Sequence, residues 1–359
     1  MPFDRIPKGS LILVTGATGF VGSAVCDAAI VRGFKVRGVT RFLSKAAALV
    51  EYLDSKHGRG SIEFVEVKDI TASDAFEGVL EGVAGILHLA TDYNFSTIYE
   101  TVVGGVVQST LVLMKAAAKV PSVKSFVLTS SRIAIFHPSY GQPEISPKLN
   151  EWNDDFVMMA KQESEDGYPQ KSLLVYAASK VKGEQAAFDY YNSTRPSYVF
   201  NTVIPDISFG PVFNPTPGYY SSHSLLNELF RCEPEPYIVL NLLNPASLAV
   251  DVRDVASLHL AVLLSTQTDG KRLWAAAHPF EINDLLRIWR EEFPDRTFVE
   301  DFKFPPQPKI TLELTQSEKL LEEFEGRTWL PFRDCVIANV QDALYSAQPT
   351  SKFWKERWF

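Results

Sequence analysis

The sequence predicts an α/β fold in which a doubly wound parallel sheet carries helices on both faces and a smaller C-terminal lobe follows. Two observations lead to this prediction. Short runs rich in Val, Ile and Leu alternate with helical stretches through the first half of the chain, which is typical of strands joined by helical crossovers. The runs are also apolar almost throughout, as expected of parallel strands that are covered on both faces.

The predicted strands are the runs in which β-branched and aromatic residues favour extended backbone. In chain order they are Ser10–Ala17, Phe34–Thr40, Ile62–Asp69, Gly85–Thr91, Ser125–Ser131 and Tyr198–Pro205. The longer stretches between them are predicted helices, namely Phe20–Arg32, Lys45–Leu53, Glu100–Lys119 and Tyr176–Tyr191. Strands connected by such helices run in the same direction, so the predicted sheet is parallel.

A change of composition after Pro205 predicts the start of a second lobe, because prolines and aromatic residues become frequent there. The run Ser247–Leu264 predicts a short extended piece and a helix that return to the large domain, and further helices are predicted at Ile282–Phe293 and Ser317–Glu323. We therefore expect a large domain of residues 1–204 with 246–268, and a smaller lobe of residues 205–245 and 269–359. The length supports this division, because a chain of 359 residues exceeds the ~250–300 residues at which one core stops growing.

The bulk properties argue against several classes of partner. The formal net charge is −8 and the two signs are interspersed, which disfavours nucleic acid and anionic membranes. No apolar run reaches the ~18 residues of a membrane span, and the N-terminal residues show no secretory signal. Three widely spaced cysteines are typical of a reducing compartment. We expect a cytoplasmic protein that is a monomer or a homodimer and binds a small molecule.

The histidines give no metal signal. His57, His137, His223, His259 and His278 share no ligand spacing. His88 lies inside the fourth predicted strand and is expected to be a buried structural residue. We therefore expect no metal in the site.

The segment "VTGATGFVG" (Val14–Gly22) predicts a dinucleotide-binding loop. Gly16, Gly19 and Gly22 follow the first strand and open the first helix, where a pyrophosphate meets the helix N-terminus. Gly16 allows the tight turn, Gly19 lets the backbone approach the pyrophosphate, and Gly22 lets the helix pack on the sheet. A bare glycine triplet is a weak signal, but its place between strand and helix makes this one specific.

The residues after the second strand favour NADPH over NADH. An NAD-binding fold usually places an acidic residue about 20 residues beyond the loop, where it holds the ribose 2′-hydroxyl. The segment "KVRGVTRFLSK" has no acid and offers Arg37, Arg41 and Lys45. A guanidinium pairs with a 2′-phosphate and stacks on adenine. Arg41, at the end of the strand, is the main candidate.

The segment "SLLVYAASK" (Ser172–Lys180) places Tyr176 and Lys180 on one face of a helix. Ser131 ends the fifth strand, and the carboxyl ends of parallel strands face the ligand crevice. A carbonyl that accepts a hydride becomes an alkoxide and needs a proton. We expect Tyr176 to donate that proton and Lys180 to lower the phenol pKa from its usual ~10. Ser131 would donate a hydrogen bond to the developing oxyanion.

These motifs together resemble the extended short-chain dehydrogenase/reductases, because "TGATGFVG", "HLAT", "FVLTSS" and "VYAASK" occur in this order. Three segments, "GSLILVTGATGFV", "PSVKSFVLTSS" and "PQKSLLVYAASK", are similar to the dihydroflavonol reductase-like branch, which contains fungal and yeast-type NADPH-dependent aldehyde (carbonyl) reductases. The resemblance spans roughly residues 8 to 210 and fades toward the C-terminus. It implies a Rossmann sheet that binds NADP.

The resemblance implies a role for each matching position. Ser131, Tyr176 and Lys180 would be the catalytic residues, and Lys180 would also hold the nicotinamide ribose. The cofactor-binding residues would be Gly16, Thr18, Gly19, Phe20, Val21 and Gly22 in the phosphate loop, Arg41 and Lys45 at the 2′-phosphate, Asp69 and Ile70 beside adenine, and Leu89, Ala90, Thr91 and Thr129 on the nicotinamide side, with Pro205, Asp206, Ile207 and Ser208 closing over the carboxamide.

Two positions depart from the pattern of the wider superfamily. Many relatives have an Asn in the helix after the fourth strand, whereas "TVVGGVV" supplies none. A water or a backbone carbonyl would have to complete the proton relay. Arg132 is bulkier than the small residues that are common after the serines. It either points away from the site, which we favour, or narrows it and favours anionic substrates.

The sequence therefore predicts an NADPH-dependent oxidoreductase that reduces an aldehyde or ketone to an alcohol. Candidate wall residues of an apolar or aromatic substrate site are Phe136, Phe209, Phe213, Tyr219 and Tyr220, with packing inside the lobe as an equal alternative.

Two other functions stay open. One is a nucleotide-sugar epimerase or dehydratase that would use the same three residues with tightly held NAD, although Arg41 in place of an acid speaks against it. The other is a non-catalytic dinucleotide sensor that binds a partner protein, but such proteins typically lose the tyrosine or the lysine.

Overall fold

A seven-stranded parallel sheet forms the centre of the fold. The computed structural model describes residues 2–91, 96–138, 141–162, 168–216, 221–232 and 247–345. The strands in chain order are β1 (Leu11–Thr15), β2 (Lys35–Thr40), β3 (Ile62–Glu66), β4 (Val83–His88), β5 (Ser125–Thr129), β6 (Glu144–Ile145), β7 (Val199–Pro205), β8 (Ile207–Phe209), β9 (Ser247–Asp251), β10 (Arg272–Ala275), β11 (His278–Phe280) and β12 (Lys309–Ile310). The large sheet has the order β10-β7-β5-β4-β1-β2-β3, and all its pairs are parallel.

Helices cover both faces of this sheet. They are α1 (Phe20–Val31), α2 (Ala47–His57), α3 (Tyr99–Ala118), α4 (Asp154–Lys161), α5 (Tyr168–Thr194), α6 (Ser221–Phe230), α7 (Val252–Leu264), α8 (Ile282–Glu292), α9 (Thr315–Glu325) and α10 (Phe332–Tyr345). Successive residues of β1 point to opposite faces. Ile12 and Val14 therefore pack in the cluster that contains α1 and α7, whereas Leu13 packs in the cluster that contains α3 and α5.

The close packing of α3 on α5 depends on a glycine. A Cβ atom at Gly183 would lie 2.8 Å from Val106 Cγ1, so a larger residue would push the helices apart. Among the described residues, α3 alone has the length of 20 residues and the mean hydropathy of 1.4 that fit a membrane-spanning helix. Half of that apolar stretch is buried inside the protein, where α3 packs on α5.

The smaller lobe has its own aromatic core. A three-stranded sheet of order β11-β9-β8 packs with α6, α8 and α10. Phe209, Phe230 and Trp289 are buried in this core. The short strands β6 and β12 pair with each other.

The structure divides the chain differently from the sequence at two places. Strand β10 pairs with β7 in the large sheet, although the predicted boundary at residue 269 assigned it to the lobe. Strand β9 pairs with β8 and β11 in the small sheet, although the sequence predicts a return to the large domain there. Helix α7 does return, since it packs on α1. Both strands have only four or five residues and are buried, so their pattern does not reveal which sheet they join.

All six predicted strands and the four predicted helices of the first half are present. Strands β1, β3, β4 and β5 end two or three residues earlier than predicted, whereas β2 and β7 end where predicted. Gly16 and Ser131 therefore already belong to the loops that follow β1 and β5. Helix α5 begins at Tyr168, so Tyr176 lies inside the helix rather than at its start. Ligand-facing loops therefore begin directly at the carboxyl ends of the central strands, where the chain order reverses between β1 and β4.

Candidate active site

A cavity of about 690 Å³ lies at the carboxyl ends of the central strands. All the predicted catalytic and cofactor-binding residues line this one cavity, from the glycine loop to the segment after β7. The structure thus brings together the predicted phosphate loop, the two cations after β2 and the three predicted catalytic residues. In the chain, the phosphate loop precedes the predicted catalytic residues by more than a hundred residues.

The geometry of the glycine loop fits a pyrophosphate. Gly16 has a φ of +67°, which favours glycine, and a Cβ atom at Gly22 would lie 2.1 Å from the carbonyl oxygen of Gly16. Helix α1 begins directly after this loop, and its N-cap, Gly19, provides no side-chain hydrogen bond. The first amides of the helix therefore lack the usual capping partner and can donate to phosphate oxygens.

The cations after β2 divide into two groups. Arg37 is engaged away from the cavity, because its Nε atom lies 2.6 Å from Glu63 Oε1 and its Nη1 atom donates to the carbonyl oxygen of Val79 at 2.7 Å. Arg41 and Lys45 line the cavity. The structure therefore leaves Arg41 and Lys45 as the candidates for a 2′-phosphate.

Asp69, which also lines the cavity, organises its own loop. Its Oδ1 atom accepts hydrogen bonds from the backbone N–H of Thr71 at 2.8 Å and from the Thr71 hydroxyl at 2.6 Å. These bonds lower the pKa of Asp69. The carboxylate is thus ionised and holds the loop that includes Ile70 at the cavity edge.

His88 anchors the segment that follows β4. The ring is 1 % exposed, and its Nδ1 atom lies 2.7 Å from Thr15 Oγ1. The amides of Leu89 and Ala90 donate to the same hydroxyl oxygen at 3.1 Å. Burial and the nearby charge of Lys180 lower the pKa of His88 to about 3, so the ring is neutral. The prediction that His88 is a buried structural residue is confirmed.

The three predicted catalytic residues face the same space. Ser131 lies just beyond β5, at the start of a short 3₁₀ turn, while Tyr176 and Lys180 lie one turn apart on α5. Lys180 Nζ is 6.0 Å from the centre of the Tyr176 ring. The arrangement can place a phenol, a hydroxyl donor and a cation around one carbonyl oxygen.

Lys180 is held firmly by its neighbours. Its Nζ atom donates to Thr91 Oγ1 at 2.7 Å and to the backbone carbonyl of Thr129 at 3.2 Å. Burial lowers the pKa of Lys180 to about 8, and the carboxylate of Glu184 opposes this effect. The sequence predicts a water or a backbone carbonyl in place of the missing Asn, and the Thr129 carbonyl is a group of that kind.

Arg132 forms a buried ion pair with Asp206. The Nε atom of Arg132 lies 2.8 Å from Asp206 Oδ1, and the two side chains are 7 % and 1 % exposed. Asp206 also accepts hydrogen bonds from the amides of Leu248 and Ile207. Burial raises the pKa of Asp206, and Arg132 opposes the rise. This ion pair connects the turn after β5 to the segment after β7. The Arg132 side chain also lines the cavity.

For the candidate wall residues that the structure describes, packing is the alternative that it shows. Phe136 packs against Trp274 and Phe209 is buried in the lobe core, and neither lines the cavity. Phe213 packs against the α1 and α7 cluster and does not line it either, and Tyr219 and Tyr220 lie outside the described residues. Phe209 thus fills the apolar centre of the lobe, whereas Phe136 and Phe213 pack in two other clusters.

Other residues also line the cavity, and the sequence predicted none of them as site residues. They are Gly105, Val106, Ser109, Ile133, His137, Leu173, Ser222 and Leu225. Burial, helped by Arg132, lowers the pKa of His137 to about 4, so this ring is neutral. None of these positions belongs to a motif, so only the tertiary structure could assign them. In the described part of the chain, no group of His, Cys, Asp and Glu side chains could hold a metal ion.

The sequence matches a family of known proteins. Residues 12–275 match the family model described as "NAD dependent epimerase/dehydratase family". The sequence is 34% identical to aldehyde reductase 2 of Sporidiobolus salmonicolor over 92% of this chain and 95% of that protein. It is 32% identical to ketoreductase adrE of Penicillium rubens over 91% of this chain and 94% of that protein.

The fold is shared with solved structures. The crystal structure of yeast methylglyoxal/isovaleraldehyde reductase Gre2 complexed with NADPH aligns with a TM-score of 0.76. The alignment covers 93% of this chain and 98% of that one at 24% sequence identity. This likeness shows a common architecture for the sheet and the lobe.

Proposed function

The chain belongs to the NAD dependent epimerase/dehydratase family, among the extended short-chain dehydrogenase/reductases, and we propose that it is an NADPH-dependent reductase of an aldehyde or ketone. One observation carries the proposal: a single cavity holds a pyrophosphate-type loop, two cations in place of an acid, and Ser131, Tyr176 and Lys180. The names of its relatives, an aldehyde reductase and a ketoreductase, point to the same class of reaction.

NADPH, when bound, would supply the hydride. The amides at the start of α1 would hold its pyrophosphate, and Arg41 and Lys45 would pair with its 2′-phosphate. Ser131 would donate a hydrogen bond from its hydroxyl to the substrate carbonyl oxygen. Tyr176 would transfer its phenolic proton to that oxygen as it becomes an alkoxide. Lys180 would stabilise the negative charge that Tyr176 acquires.

The decisive test is NADPH consumption with a panel of aldehydes, β-keto esters and flavonoid-like ketones. We expect wild-type turnover with at least one class of carbonyl and a loss of about 10²-fold or more in kcat for Tyr176→Phe, since general acid catalysis contributes 10²–10⁴-fold. Tyr191→Phe is the matched control, because Tyr191 lies on the same helix about 22 Å away and bonds Asp269 instead. Full activity of the Tyr176→Phe enzyme would contradict the mechanism.

The same measurements separate the alternatives. An epimerase or dehydratase would copurify with NAD and show no net NADPH turnover. A dinucleotide sensor would bind NADPH tightly yet reduce no carbonyl. A cytoplasmic location and a monomeric or dimeric state stay predictions.

A further inference from the structure

We propose that Glu184 and Arg272 are positioning residues, which hold the strand end that carries Ser131 against the helix that carries Tyr176 and Lys180. The inference rests on the proposed function for its catalytic meaning. It concerns two residues outside the predicted site, which lie on α5 and β10 and are 88 positions apart in the chain.

The ion pair between them is buried and doubly bonded. Arg272 Nε donates to Glu184 Oε1 at 3.0 Å, and Arg272 Nη2 donates to Glu184 Oε2 at 2.7 Å. The side chains of Arg272 and Glu184 are 6 % and 1 % exposed. Two parallel bonds of this kind fix the orientation of both groups, because a guanidinium and a carboxylate are planar and complementary.

The same carboxylate also binds the residue that follows β5 and a residue in the middle of β7. Ser130 Oγ donates to Glu184 Oε2 at 2.9 Å, and Thr202 Oγ1 donates to Oε1 at 2.8 Å. Ser130 directly precedes Ser131, so the position of the reacting hydroxyl is set one residue from this contact. The carboxylate therefore joins α5 to β5, β7 and β10 at once.

The guanidinium is equally well satisfied. Arg272 Nη1 donates to the carbonyl oxygens of Leu149 and Glu151, at 2.5 and 2.7 Å, and the guanidinium lies 4.6 Å from the centre of the Trp152 ring. A buried ion pair costs desolvation energy, which such additional hydrogen bonds help to offset. An arrangement with this many bonds holds one geometry and resists small displacements.

The register of α5 connects this cluster to the reacting groups. Tyr176, Lys180 and Glu184 follow each other at intervals of four residues and share one helix face. Burial and the Glu184 carboxylate act on the pKa of Lys180 in opposite directions. The Tyr176 ring lies 6.0 Å from Lys180 Nζ, the charge of Lys180 acts on the neutral His88 ring on β4, and Arg272 on β10 pairs with Glu184. Glu184 is thus the nearby negative charge that helps Lys180 to stay protonated.

The experiment compares the paired variant Glu184→Gln/Arg272→Met with wild type, since the pair leaves no lone buried charge. A matched control is Asp254→Asn/Arg327→Met, which removes another ion pair with a buried carboxylate, 2.7 Å long, at the start of α7. We expect the first variant to lose about 10²-fold in kcat per folded molecule, because misplacement of reacting groups by about 1 Å costs that much. We expect the control to keep its kcat.

A second readout separates positioning from mere structure. The single variant Glu184→Gln removes the carboxylate and keeps the Arg272 charge, so it should move the alkaline limb of the pH–kcat profile to lower pH by about one unit, because an adjacent opposite charge shifts a pKa by about 1–3. Glu184→Asp keeps the charge and should keep the position of this limb, even if kcat falls. An unchanged profile in Glu184→Gln together with an unchanged kcat in the paired variant would overturn the proposal.

A third readout does not need activity. The titration of Lys180 is followed by NMR of ¹³C-labelled lysine, with Lys180→Met to assign the signal. We expect the Lys180 pKa to fall in the single variant Glu184→Gln, which removes only the negative charge, and to stay constant in the Asp254→Asn/Arg327→Met control. If the Lys180 pKa is the same in the variant and in wild type, the coupling is refuted, even if wild type reduces no carbonyl. If the Lys180 pKa falls in the variant but wild type reduces no carbonyl, only the proposed function is refuted.

Discussion

Replacing Lys180 by Met should change how the free energy of unfolding depends on pH. Lys180 is 6 % exposed, and burial lowers its pKa from 10.5 to about 8. A pKa difference of one corresponds to about 1.4 kcal/mol, so the buried ammonium destabilises the folded state by about 3 kcal/mol at neutral pH. The buried Lys180 ammonium therefore lowers the free energy of unfolding, and an uncharged Met at this position does not have this effect.

The sign follows from the two pKa values. Below about pH 8, Lys180 is protonated in both states and the full penalty applies. Between about pH 8 and 10.5 the folded protein holds a neutral amine while the unfolded chain is still protonated, so the penalty shrinks as pH rises. We expect wild type to gain about 2 kcal/mol relative to Lys180→Met between about pH 7 and 9.5. The two lost hydrogen bonds of Lys180 add an offset that is largely independent of pH.

Urea unfolding of the cofactor-free proteins at several pH values measures this difference. Lys124→Met serves as the control, because it removes an ammonium group that is exposed to solvent. If the stability curves of wild type and Lys180→Met ran parallel over this pH range, the ammonium would not be desolvated and the reasoning would be refuted.

Two more predictions follow from the geometry. Gly183→Ala should destabilise the protein by about 1–2 kcal/mol in urea unfolding, because its Cβ would lie 2.8 Å from Val106 Cγ1. Gly104→Ala is the control: a Cβ there meets open space, so it should stabilise α3 by about 1 kcal/mol. Equal effects of the two substitutions would contradict the packing argument. Arg41→Ala should raise KM for NADPH about tenfold and leave KM for NADH unchanged, since the lost bond to a 2′-phosphate is worth about 1.5 kcal/mol. Lys35→Ala, an exposed cation at the other end of β2, is the control for net charge, and equal loss with both cofactors would exclude the 2′-phosphate role.

The local patterns of the sequence predicted most of the framework. Three signals depended on a few consecutive residues each: the glycine loop, the spacing of Tyr176 and Lys180, and the absence of an acid near Arg41. The structure places the residues of the loop, Arg41, Tyr176 and Lys180 around one cavity. Strand and helix identities also follow from local periodicity and apolar content. The assignment of β9 and β10 to sheets was wrong, because a short buried strand has the same pattern in either sheet.

By itself the sequence determined the class of fold, the family and the position of the motifs. Only the tertiary structure decided which distant groups meet. Whether Arg132 faces substrate or pairs with Asp206, and whether Phe209 lines a site or fills a core, depends on partners that are far away in the chain. The same holds for Glu184 and Arg272. A buried charge takes its role from the groups that compensate it, and backbone topology, not sequence spacing, brings those groups within hydrogen-bond distance.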